Sequence, residues 1–95
     1  MTAKVKDIVA ALETLAPPGW AYDWDRPGLS IGDPGREVKK VLVCLTVTDA
    51  VLQAARKAKV QMVVSHHPLI MTPLRSLRFD DVHTRLCLGF AEAKI

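Results

Sequence analysis

Cysteine is scarce in this 95-residue chain, with Cys44 and Cys87 its only two. They have neither the paired C-x-x-C spacing of a thiolate metal site nor the numbers for a disulfide framework. Each sits in an apolar context, which reads as a buried free thiol in a reducing cytosol. Long apolar runs are also lacking: no stretch approaches the roughly 20 residues that cross a bilayer. The opening Met1-Thr2-Ala3-Lys4 turns straight into an amphipathic pattern, so the chain is expected to be cytoplasmic, without membrane association. Charge of one sign is not concentrated anywhere. The net charge of +3 comes from lysines and arginines interleaved with acids, which leaves no basic block to suggest nucleic acid. Gly28 and Gly32 match neither a P-loop nor a dinucleotide fingerprint and are read as backbone geometry. Repeats, low-complexity segments and linkers are absent.

What is present has the balance of a folded protein, 49% hydrophobic and 24% charged residues, in a single domain with one modest core. Val5, Ile8, Val9, Leu12 and Leu15 recur at helical spacing, predicting a helix over about 3–16 with Thr2 as cap and Pro17-Pro18-Gly19 as stop. The segment 20–27 reads as a loop, with Trp24 and Asp25 either lining a pocket or, the favoured reading, pinning the loop to the core, and 28–32 as a short strand. Asp33-Pro34-Gly35 is a turn signal. Val41 to Leu45 is a continuous apolar run, expected as a strand buried on both faces. A helix capped by Thr48 or Asp49 and ending near Lys59 follows, then a second strand from Val60 to Val64. That order predicts a right-handed strand-helix-strand unit with parallel strands. After a loop over 66–79, Asp80 or Asp81 caps a last helix carrying Val82, Leu86, Phe90 and Ala93.

Ligands of open α/β sheets gather at the carboxyl ends of parallel strands, and there the chain reads Ser65-His66-His67-Pro68. Neutral imidazole is a strong ligand for divalent metals. Successive residues of an extended chain point to opposite sides, so the two rings are expected to diverge toward separate ions. Taken alone, two histidines before a proline are more often a surface turn. Thr48 and Asp49 could face the same crevice or simply cap a helix, Asp25 could line a pocket, and His83 reads as a solvated residue on the polar side of the last helix.

Three segments taken together are more specific. Trp24-Asp25-Arg26-Pro27-Gly28-Leu29-Ser30-Ile31-Gly32, then Val41-Leu42-Val43-Cys44-Leu45-Thr46-Val47-Thr48, then Val63-Val64-Ser65-His66-His67-Pro68-Leu69-Ile70 resemble the Nif-three-like dinuclear metal-centre family, the GTP cyclohydrolase I type 2 homologues. The resemblance covers essentially the whole chain and implies a layered α/β/α fold, of which 1–95 would be the first part. It implies that His66 and His67 are metal ligands in a site for two divalent ions, with zinc, manganese or iron as candidates. It also implies metal-dependent hydrolysis of an unknown small molecule, with a non-enzymatic, metal-dependent interaction or regulatory role as the alternative, and a homo-oligomer as the assembly. Relatives are several times longer and complete the site with an aspartate, a histidine and a glutamate that match no residue here, so this chain alone is expected to be inactive. The family commonly has an aspartate where this chain has Thr46.

Overall fold

The computed structural model describes residues 2–95. The first apolar pattern becomes α1 (Val5–Leu15), shorter at its start than the spacing predicts. Ala3 and Lys4 form instead a two-residue strand, β1 (Ala3–Lys4), paired antiparallel with β2 (Glu37–Val38). Thr2 is therefore not the cap. The Lys4 amide donates to the Asp7 carboxylate at 2.9 Å, and the amides of Val5 and Lys6 donate to the carbonyls of Arg36 and Pro34 at 2.9 Å each. Amides of a first helical turn lack partners within the helix, and here the chain around the 33–35 turn supplies them. Within that turn the Gly35 amide donates to the Asp33 carboxylate at 2.8 Å.

The expected strand over 28–32 does not form. Gly28 and Gly32 have φ of +112° and +117°, values that a strand does not use, so the segment curves instead of pairing. Trp24 does not pin its loop to the core either. It is 64% exposed and stacks on Tyr22, with ring centroids 5.6 Å apart.

The strand-helix-strand unit is present as β3 (Val41–Cys44), α2 (Asp49–Ala58) and β4 (Met62–Ser65), with β3 and β4 parallel. Thr48 is the cap of α2, accepting the Val51 amide at 3.3 Å. Lys59 ends the helix in the left-handed conformation, φ +57°. That exit occupies Val60 and Gln61, which is why β4 starts later than the apolar run. The Gln61 carboxamide oxygen accepts the amides of Lys39 and Lys40 at 2.7 and 3.0 Å, fixing the entry to β3.

The core joins Val5, Val38 and Met62, with Ile8, Val9 and Val64 packed against them. In a parallel pair, registered residues share a face, so Val41 and Val43 lie on the same face as Met62 and Val64. α1 covers β4 but stops short of β3, and Val43 is 76% exposed and Leu45 63%. The expectation of burial on both faces therefore fails for β3. The final helix, α3 (Val82–Ala93), is capped by Asp81, whose carboxylate accepts the Thr84 amide at 2.9 Å. It packs on α2 through Gly89, where a Cβ would stand 2.6 Å from Leu52 Cδ2. The result is a layered α/β arrangement around one parallel strand pair. Among the described residues no helix is long and apolar enough to cross a membrane.

Buried Thr84 ties the preceding loop to α3: its hydroxyl accepts the Arg78 amide at 3.1 Å and donates to the Arg78 carbonyl at 2.6 Å. Thr84→Val keeps the shape and strands both groups, so denaturant titration should show a loss of about 1–3 kcal/mol, with Thr84→Ser close to wild type. The Thr84 amide also holds the Asp81 carboxyl below its ordinary value, as the Arg78 guanidinium does for Asp80. A depressed folded value contributes stability above the unfolded carboxylate pKa of about 3.9 and loses it as pH falls through the lower folded value. Asp81→Asn should therefore flatten the acid limb of the stability curve.

Candidate metal centre

Both histidines stand where the parallel ladder runs out. The His66 amide donates to the Cys44 carbonyl at 3.1 Å, the last bond of the β3–β4 ladder, and the His67 amide to the Leu45 carbonyl at 2.9 Å, a bond between the two bends that follow it. The Ser65 hydroxyl donates to the His67 carbonyl at 2.7 Å, so the main chain of His67 is held at both ends. The backbone bends at these two residues, which releases the side chains from strict alternation. Their ring centroids lie 5.0 Å apart with planes inclined by 52°. The rings are thus close neighbours whose planes are not parallel. A spacing of that order is compatible with one ring on each of two ions roughly 3.5–4 Å apart.

The surroundings differ for the two rings. His66 stands at the edge of a cleft of about 700 Å³ between α1, β4 and the 25–33 segment, lined also by Asp25, Leu12, Met62 and Phe90. His67 Nδ1 lies 2.9 Å from Thr46 Oγ1, which leaves Nε2 as the nitrogen open to a ligand. Sequence reasoning noted Thr46 only as a departure from a family pattern. No local sequence signal marks this contact, which joins residues 21 apart just beyond the last paired residues of β3 and β4.

Other candidates fall away from this point. Thr48 is engaged as the helix cap, and Asp49 lines a separate shallow groove with Leu52 and Phe79, not the His66 cleft. Half-buried Asp25 faces the cleft, and its carboxylate accepts the neighbouring Arg26 amide at 2.8 Å. Burial pushes the Cys44 thiol above its ordinary value. His83 is exposed, as its position in the pattern suggests, but its Nε2 donates to the Leu69 carbonyl at 2.6 Å. It thereby holds the loop that leaves the two histidines. The donor chemistry suits a divalent cation from one side. Among the described residues no group of three His, Cys, Asp or Glu side chains is placed to hold an ion.

Comparison with known proteins adds a decisive observation: the model of the family described as Duf34/NIF3 (NGG1p interacting factor 3) matches residues 3–95. The chain belongs to the Duf34/NIF3 family. Its curated relatives in that family include the GTP cyclohydrolase 1 type 2 homolog of Lactococcus lactis, 33% identical over 97% of this chain and 36% of the relative. The NIF3-like protein 1 of Drosophila melanogaster is 38% identical over 75% of this chain and 25% of its own length. Among solved structures, Staphylococcus aureus protein SA1388 superposes with a TM-score of 0.93 at 31% identity, covering 98% of this chain and 30% of that one. Reduced HcgD from Methanocaldococcus jannaschii gives 0.88 at 31% identity, covering all of this chain and 38% of that one. This Duf34/NIF3 chain thus spans between 25% and 38% of these relatives, and its layered α/β fold is theirs over the shared part.

If His83 positions the histidine loop, His83→Ala should speed amide hydrogen exchange across 66–70 while lowering global stability by no more than about 0.5–1.5 kcal/mol, the worth of one ordinary hydrogen bond. Unchanged exchange in that segment would show that Leu69 is held by other means.

Proposed function

We propose that this chain supplies one edge of a two-metal centre in a metal-dependent hydrolase of the Duf34/NIF3 family, with His66 and His67 as ligands to divalent ions. The observation that carries the reading is the placement of two adjacent imidazoles, rings 5.0 Å apart, at the carboxyl end of a parallel strand beside an open cleft. The names of the curated relatives, GTP cyclohydrolase 1 type 2 homologs, support hydrolytic chemistry on a small molecule. A bound divalent ion would acidify a water and polarise the oxygen of a carbonyl, imine or phosphoryl group.

Within such a centre this chain's own residues bind and orient. His66 would meet the substrate side, since it edges the cleft. His67 would be held from behind by Thr46 and from its main chain by Ser65 and Leu45. Catalytic metal sites use three or so protein ligands per ion, and two imidazoles divided between two ions leave each ion with a single one. The remaining ligands would therefore come from outside residues 2–95, and the exposed apolar face at Val43 and Leu45 supports a reading in which further protein, such as a second copy in a homo-oligomer, lies against the sheet.

Elemental analysis and zinc or manganese titration test this. The 95-residue chain should take up metal weakly, and uptake should disappear on acidification that protonates imidazole. The double substitution His66→Ala and His67→Ala should abolish it without disturbing the fold, because both side chains are exposed beyond a strand end. Uptake that survives the double substitution would sink the assignment. Sedimentation at micromolar concentration should show self-association, and a stable compact monomer would remove the support for an oligomer.

A further inference from the structure

We propose that Thr46 is a positioning residue for His67: its hydroxyl accepts the ring Nδ1–H, selecting the tautomer whose Nε2 lone pair is free for a divalent cation. The inference rests on the reading of His67 as a ligand and adds the group that sets its tautomer.

Three observations support it. The 2.9 Å separation of Thr46 Oγ1 and His67 Nδ1 is a hydrogen-bond distance. The contact is held by the main chain: the β3–β4 register ends at Cys44 and Ser65, and just beyond it the His67 amide is bonded to the carbonyl of Leu45, the residue before Thr46. The main chain of His67 is pinned at its carbonyl as well, by Ser65, so only its side-chain torsions remain to be fixed. Thr46 is β-branched and stiff at χ1, which makes its oxygen a fixed reference for the ring.

Direction follows from the chemistry. A hydroxyl can donate or accept, but Thr46 is exposed and can give its proton to water while a lone pair takes the imidazole N–H. Metal-binding histidines almost always donate their second nitrogen to an oxygen, which fixes ring orientation and raises ligand basicity. A neutral hydroxyl does the first of these fully and the second less than a carboxylate would. Thr46 therefore orients His67 without adding negative charge behind it.

The test uses the whole chain with histidine labelled in nitrogen-15, under conditions where the rings are neutral, and His66 as internal reference. Long-range proton–nitrogen correlations should show His67 carrying its proton on Nδ1. In Thr46→Val the His67 signals should move toward the Nε2–H form, Thr46→Ser should restore the wild-type pattern, and His66 should not change. Zinc titration of the same samples should show Thr46→Val weakened roughly 10–100-fold relative to wild type, with Thr46→Ser recovering most of the loss. An Nε2–H tautomer in wild type, or one unchanged in Thr46→Val, overturns the proposal whatever zinc does. A lost tautomer preference with unaltered zinc affinity overturns the positioning role. The expected tautomers with no zinc bound by any sample would overturn the ligand reading of His67 and leave the Thr46–His67 bond established.

Discussion

The parallel pairing of β3 and β4 is the constraint from which the rest of this molecule takes its geometry. It fixes Val41 against Met62 and Cys44 against Ser65, and it ends at His66 and His67. Backbone bonds between parallel strands are evenly spaced and slanted, and the two amide bonds just past the paired segment tie His66 and His67 to Cys44 and Leu45. The candidate ligands are therefore not loop residues free to wander. They are the frayed end of a sheet, with peptide groups still paired and side chains released by a bend.

The sequence made the central unit legible because three independent signals agreed there: an apolar run at Val41–Leu45, a capped amphipathic stretch from Thr48 to Lys59, and a second apolar run ending at Val64. Agreement between local patterns and overall fold is what gives a chain a single structure. Where one signal stood alone, the reading was weaker. The stretch 28–32 has strand-like alternation of Leu29 and Ile31, but the glycines at both ends have positive φ. β1 and β2 have two residues each, too few to carry a period, and were not visible at all. Thr48 and Asp81 were each one of two possible caps, and only the hydrogen bonds to Val51 and Thr84 distinguish them.

At the site the same distinction holds. His66 and His67 were legible as a pair because of their place after a buried strand, but the spacing of their rings was not. Alternation on an ideal strand separates the two rings, whereas the bend after Ser65 leaves their centroids 5.0 Å apart. His83 lay on a polar helix face, and a pattern of polarity says nothing about whether a polar group finds a distant carbonyl. Its bond to Leu69 spans 14 residues of sequence, beyond the reach of any local rule. The burial expected for Val41 and Val43 failed for a comparable reason: an apolar run shows that a face can be covered, not that a helix lies over it.

The fixed offset between β3 and β4 bears on how this segment can tolerate changes in length. An insertion in the exposed turn around Lys59 leaves each strand intact, because α2 and its exits can absorb an extra residue before β4 begins. An insertion between Cys44 and Thr46, or between Ser65 and His67, is different in kind. One added residue there displaces one partner along its chain relative to the other, which would take Thr46 away from His67. Short insertions and deletions should therefore accumulate in the helix exits and stay out of the few residues at which the sheet gives way to the site.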